Sequence, residues 1–470
     1  MWSITSRKRG LFTLLPVEMQ KQTHWQIFRY ILHEPSCTDR LTIKPKSLHM
    51  RLLLTLTFFL YVTTLTAQSN APYLTDLASI RTILQNTPSY KAQIKGDKAT
   101  SYNVLYNRLT TDTVINTDDY RYFYNLSQLF FPIRDNHLSF YQIPKYDFRN
   151  HEDVDKFIKT KEFTNYPRLN INTDSLKTVL ALKPVDSIEG IYHYEDFYSI
   201  GLFKTADKEY IGVILDSTTP LWEKGHIAIH LYQYGPNFYK AIYGHPLTKG
   251  FILQSNEKYR YKSLVNSYFY GSYSKGIYSK EVQSNNYVNL PHDAAKFQFK
   301  SINALVQYLR IRSFQADNVT SGQSNTFYMT IKDSLTAPYL ILDLRNNEGG
   351  AEKESEKYFN LLKKYTRTGH IYILVNNETL SGAEIVTLQL KKLKNTITAG
   401  QPTKGMLTYG SNYGRREILP SKRFAVYITD MKGKAEHLLY EDHGINPDIS
   451  LDENADWIEQ IVTHIKKAKQ

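Results

Sequence analysis

Ser381 stands in Ile371-Tyr-Ile-Leu-Val-Asn-Asn-Glu-Thr-Leu-Ser-Gly-Ala-Glu384, where a short apolar run passes through a polar turn into a helical pattern. A hydroxyl at a helix start faces N–H groups and a dipole that favour negative charge, as a tetrahedral oxyanion requires. The same Ser-x-x-Glu spacing is also that of a capping box, a common and purely structural device. A second run, Pro338-Tyr-Leu-Ile-Leu-Asp-Leu-Arg-Asn-Asn-Glu-Gly-Gly350, has the same texture of apolar strand and polar, glycine-bearing turn. Gly349 and Gly350, and Gly382 beside the serine, can expose backbone N–H groups to a developing oxyanion. Asp343 and Arg345 are expected to fix the turn by ion pairing rather than to do chemistry.

A serine nucleophile needs a base. His137 follows Asp135 in Pro132-Ile-Arg-Asp-Asn-His137, far upstream, and only the fold can bring it to Ser381. His443, nearer in sequence, is the second candidate. Glu441, two residues before His443, could orient an imidazole as a buried carboxylate does in a triad. No cluster suggests a metal or organic cofactor.

These residues need elements to carry them. From about 297 to the C-terminus strands and helices alternate: a helix over Ile302–Leu309, a strand over Tyr339–Leu344, a helix over Glu352–Lys364, a strand over Tyr372–Val375 and a helix over Ala383–Leu393. That order implies an α/β catalytic core, a mostly parallel sheet with helices over it. Residues 181–290 alternate apolar and polar positions between closely spaced turns and read as an antiparallel β-rich module. Residues 68–180 read as a mostly helical N-terminal domain carrying His137, and 291–470 as the catalytic core. Residues 139–180 carry no clear pattern.

Met50-Arg-Leu-Leu-Leu through Ala67 has a basic start, an apolar centre and a small residue before Gln68, the pattern of a signal peptide. Translation is therefore expected to start at Met50, with 1–49 an over-extended leader. The mature chain is expected to be exported, periplasmic or extracellular, with no stable membrane span. Residues 1–67 hold nine Lys/Arg against three Asp/Glu, so six of the 13 net positive charges belong to them. The rest is mildly basic and spread out, without a nucleic-acid footprint. The only cysteine, Cys37, also lies in this stretch, so the mature chain has neither disulfides nor a thiol nucleophile.

With these pieces in place, the chain resembles the tail-specific, or C-terminal processing, serine peptidases and the related tricorn protease core. The residues that carry the likeness are Leu342-Asp-Leu-Arg-Asn-Asn-Glu-Gly-Gly350, Thr379-Leu-Ser-Gly-Ala-Glu384, Gly400-Gln-Pro-Thr-Lys-Gly405 and Gly444-Ile-Asn-Pro-Asp-Ile449. Asp135-Asn-His137 resembles the D-G-H turn of the tricorn-like branch, with Asn136 in place of glycine. The resemblance implies Ser381 as nucleophile with Gly349, Gly350 and Gly382 near the oxyanion. In the better-known branch a lysine follows the glycine of G-x-x-T-x-G, but here Met406 holds that place and Lys404 lies two positions early. The tricorn-like branch instead implies His137 as base and Glu441 as the glutamate that positions it. The family's usual PDZ module is not recognisable, and the β-rich module occupies its place. Peptide or protein substrates follow, and a non-catalytic peptide- or ligand-binding protein on the same fold is the alternative.

Overall fold

A computed structural model describes residues 70–468, apart from 115, 270–275, 282–286, 292 and 413. The expected leader and signal peptide lie outside the described residues. The described residues fall in one compact unit spanning 66–470.

Two large sheets organise that unit. The smaller has six strands: Phe297–Ser301, Val306–Ile311, Tyr339–Asp343, His370–Val375, Thr396–Gly400 and Ile449–Ser450, in that spatial order. All neighbours are parallel except the edge strand Phe297–Ser301, which pairs antiparallel with Val306–Ile311. Side chains alternate between faces along each strand. Leu340, Leu342, Ile371, Ile373 and Val375 therefore pack under the helices Glu352–Tyr365 and Gly382–Lys391. Ile341, Tyr372 and Leu374 point the other way, onto Trp457, Ile461 and Ile465 of the C-terminal helix Trp457–Lys467. Burial on both faces is why these strands read as unbroken apolar runs. Each such side chain stabilises the fold by about 1.5–3 kcal/mol relative to exposure.

The larger sheet has ten strands and is antiparallel, so a mostly parallel arrangement describes only the smaller sheet. Its centre is the meander expected between 181 and 290, from Gly190–Tyr194 to Phe251–Arg260. It also recruits Ser139–Gln142 from upstream and Arg416–Ile418 and Phe424–Tyr427 from the last third. One core runs through this sheet and the N-terminal helices, joining Leu77, Tyr122 and Phe123 to Phe140, Phe251 and Phe424. The strand Ser139–Gln142 follows directly on the turn that bears His137. Its pairing with Phe424–Tyr427 brings that turn to the C-terminal region.

Two local readings need correction. Ile302–Leu309 is not a helix: Val306–Ile311 is a strand, buried along most of its length. A short apolar run has no period that separates the two, and five parallel register pairs with Tyr339–Asp343 decide it. The stretch 139–180 contains three short helices, His151–Phe157, Lys161–Thr164 and Thr173–Ala181, each capped by the side chain of Asn150, Thr160 or Asn172.

Candidate active site

The first turn is built on a buried ion pair. Asp343 is fully buried, and Arg345 donates to it through Nε at 3.0 Å and Nη2 at 2.7 Å, while the Tyr308 hydroxyl donates at 2.7 Å. Burial works to raise the Asp343 pKa, but the guanidinium and its hydrogen bonds hold it below the usual carboxylate range. Hydrogen bonds fasten the second turn to the first, among them Asn376 Nδ2 to Asn346 Oδ1 at 3.1 Å. Leu380 N–H donates to Asn347 O at 3.0 Å, Thr379 Oγ1 to Leu344 O at 2.8 Å, and Asn346 N–H to Asn376 Oδ1 at 3.0 Å.

Ser381 sits on that second turn with φ 57° and ψ −124°, a conformation that L-residues avoid. The helix Gly382–Lys391 begins on the next residue. Its backbone is held from both sides. Ser381 N–H reaches Met406 O at 3.0 Å and Glu384 Oε2 at 3.1 Å. Glu384 is fully buried and also accepts from Thr403 Oγ1 at 2.5 Å, Gly405 N–H at 2.8 Å and Met406 N–H at 2.9 Å. So the capping glutamate is the hub that joins the serine turn to residues 403–406. A strained strand-to-helix turn of this kind is how a serine hydroxyl is made to project from a sheet edge.

The hydroxyl meets His137. Nε2 lies 3.2 Å from Ser381 Oγ, across 244 residues of sequence. His137 Nδ1 is buried and has no hydrogen-bond partner among the described residues. Burial lowers the imidazole pKa to about 4, so the ring is neutral at pH 7. The turn beneath it is tightly bound. Asp135 accepts from Thr429 Oγ1 at 2.7 Å and from His137 N–H at 3.2 Å. Burial pushes Asp135 up to about 6.

Glu441 is fully buried nearby, but its carboxylate grips the backbone rather than the ring. Oε1 accepts Asn136 N–H at 2.8 Å, and Oε2 accepts Leu407 N–H at 3.1 Å and Thr408 N–H at 2.9 Å. Burial and the neighbouring Asp135 carboxylate push it up to about 8, against the pull of those three N–H groups. Arg134 adds a second clamp, donating through Nε to Asp442 Oδ2 at 2.7 Å and through Nη2 to Leu438 O at 3.0 Å.

The three glycines do not play one part. Gly349 N–H donates to Asn347 Oδ1 at 2.9 Å and so is committed to the turn. Its glycine identity is a matter of space: at φ 81°, a Cβ would sit 2.6 Å from Gly382 N. Gly350 and Gly382 N–H groups have no acceptor among the described residues. They belong to backbones in contact, since a Cβ on Gly382 would lie 2.7 Å from Gly350 O. These two are the donors available to an oxyanion.

The other candidates are turned away. The His443 ring packs edge-on against Phe238, with centroids 5.0 Å apart. Lys404 Nζ pairs with Glu378 at 3.5 Å, and Met406 contributes only backbone atoms. Among the described residues no group of three or more His, Cys, Asp or Glu is placed to hold a metal ion. Among them, too, no helix is long and apolar enough to cross a membrane. Sequence reasoning passed over two members of this arrangement, Asn136 and the hub role of Glu384. The Ser-x-x-Glu spacing pointed to Glu384 only as a cap.

No curated protein matches this chain. Among solved structures it is similar to mature CPAF, at 11% identity and a TM-score of 0.38 over 85% of this chain and 97% of that one. It is also similar to the photosystem II D1 C-terminal processing protease, at 13% identity and a TM-score of 0.32 over 82% and 93%. The tricorn protease aligns at 17% identity and a TM-score of 0.26 over 35% of this chain and 18% of that one. Residues 351–451, the stretch that carries Ser381, Glu384 and Glu441, match the model of peptidase family S41.

Proposed function

We propose that the chain is a serine peptidase that hydrolyses peptide bonds through an acyl-enzyme on Ser381. The observation that carries this reading is the 3.2 Å contact between His137 Nε2 and Ser381 Oγ. That spacing is within reach for general-base catalysis, and a neutral imidazole has a lone pair to offer. In this reading Ser381 Oγ attacks the scissile carbonyl while His137 Nε2 takes its proton. The carbonyl oxygen, now anionic, is met by the N–H groups of Gly350 and Gly382. The imidazolium returns its proton to the leaving amine, and water then resolves the ester by the same steps. Glu441 acts at one remove: it holds the backbone of the turn that carries the ring through the Asn136 N–H.

A cavity of about 460 Å³ beside the two turns, lined by Asn346, Glu348, Asn377 and Glu378 among others, offers room for substrate side chains. Export by way of residues 50–67 is part of the same proposal. N-terminal sequencing of the native protein tests it, and a mature species containing Trp2 to His49 would refute it. For the activity itself, Ser381→Ala should abolish hydrolysis of an unfolded protein substrate while leaving the unfolding transition in place. Full activity in that variant overturns the reading.

One observation favours a second reading, a peptide-binding protein without turnover. His137 Nδ1 has no partner among the described residues, and burial holds the ring pKa at about 4, so its charged form lacks the bond that a triad normally supplies. A binder would retain peptide affinity in Ser381→Ala and show no turnover in the unmodified chain.

A further inference from the structure

We propose that Asn136 is a positioning residue that sets the contact between His137 and Ser381, an assignment that rests on the peptidase reading above. The His137 ring makes one polar contact, to the serine, and its other nitrogen makes none among the described residues. No hydrogen bond to Nδ1 therefore aims the ring among the described residues, and its placement depends on its packing and on the backbone turn that bears it.

Asn136 is the residue that locates this turn relative to the nucleophile. Its amide Nδ2 donates to Gly405 O at 2.7 Å and to Asp442 Oδ1 at 2.9 Å, and its backbone N–H donates to Glu441 Oε1 at 2.8 Å. Gly405 belongs to the same short segment that holds the serine backbone. Gly405 N–H donates to Glu384, and Met406 O accepts Ser381 N–H. One amide thus ties the base's turn to the nucleophile's support. Asp442 completes the grip by dividing its carboxylate, with Oδ1 on Asn136 and Oδ2 on Arg134, the residues either side of Asp135.

The chemistry selects asparagine. Two acceptors, a carbonyl and a carboxylate oxygen, face one group that must supply two donors, as an amide nitrogen does. Glycine or alanine supplies none. Aspartate has the same shape but, when ionised, only acceptors, and it would oppose Asp442.

The test uses the full chain with Asn136→Ala and the near-isosteric Asn136→Asp. Hydrolysis of a peptide substrate is measured per fluorophosphonate-titrated site, alongside thermal unfolding and a crystal structure of each variant. The expected result is a kcat lowered about ten- to a hundredfold, as a displaced base gives, with KM within about twofold. The His137 Nε2 to Ser381 Oγ separation should open beyond hydrogen-bond reach. Wild-type kcat per titrated site, or activity lost only in proportion to unfolded protein, overturns the assignment. Should the unmodified chain neither hydrolyse nor label, the peptidase reading fails, and the crystallographic separation still decides this one: an unchanged 3.2 Å contact in both variants refutes it.

Discussion

Glu384 Oε2 accepts the backbone N–H of Ser381 at 3.1 Å, and the same carboxylate gathers three further donors from Thr403, Gly405 and Met406. A serine at φ 57° does not hold that geometry unaided. The strain is sustained because the capping residue doubles as an anchor for a second segment. The turn that bears Ser381 and the 403–406 segment are therefore one mechanical unit.

Glu384→Ala should be among the most destabilising single changes in the smaller-sheet region. It leaves the Thr403 hydroxyl and the Gly405 and Met406 N–H groups without that acceptor, at a cost of about 3–5 kcal/mol. Urea unfolding checks this, with a lowered midpoint expected at an unchanged slope.

Gly350→Ala should lose activity through the backbone. At φ 136°, a Cβ would lie 2.0 Å from Phe314 O, so the loop must shift and carry its N–H with it. Loss of one oxyanion donor lowers kcat about 10²–10³-fold. Steady-state kinetics of the folded variant is the measurement.

How far could the site be read before the structure? Ser381 and the two turns were legible because strand, polar turn and helix are local patterns, and each half announces itself within a dozen residues. The likeness of Asp135-Asn-His137 to a known turn singled out His137 over His443, since nothing in the periodicity of 70–138 links it to residue 381. Glu441 was expected to orient an imidazole as a triad carboxylate does, whereas its oxygens hold the Asn136, Leu407 and Thr408 N–H groups, a backbone function that sequence does not encode. Asn136 looked like a departure from glycine because its two acceptors, Gly405 O and Asp442, come from segments more than 260 residues away. The same limit applies to the larger sheet. Alternation revealed its central strands, whereas the recruitment of Ser139–Gln142 and Phe424–Tyr427 depends on long-range pairing.

The pH–rate profile should carry the mark of a buried base. The His137 pKa is lowered to about 4 by burial, so kcat/KM should rise through about pH 4 and be level by pH 6. An inflection near the ordinary imidazole value would mean that the ring is solvated in the free enzyme.

Stability should respond to pH through two opposed contributions. Asp135 and Glu441 are pushed up to about 6 and about 8, so the folded state binds more protons than the unfolded one above about pH 4. Their contribution is full below their unfolded values and is lost as pH rises through 6 to 8. His137, lowered to about 4, acts the other way, adding stability as pH rises from about 4 to 6.5. Glu441→Gln should therefore flatten the fall in urea midpoint between pH 6.5 and 8. An unaltered slope would show that Glu441 is ionised throughout that range.

The most direct test of the account is labelling by a fluorophosphonate, with the modified residue mapped by peptide mass spectrometry, in the unmodified chain and in His137→Ala. The account predicts a single adduct on Ser381, formed about 10²–10⁴-fold more slowly once the imidazole is removed. An unlabelled serine, or one labelled equally fast without His137, would contradict it.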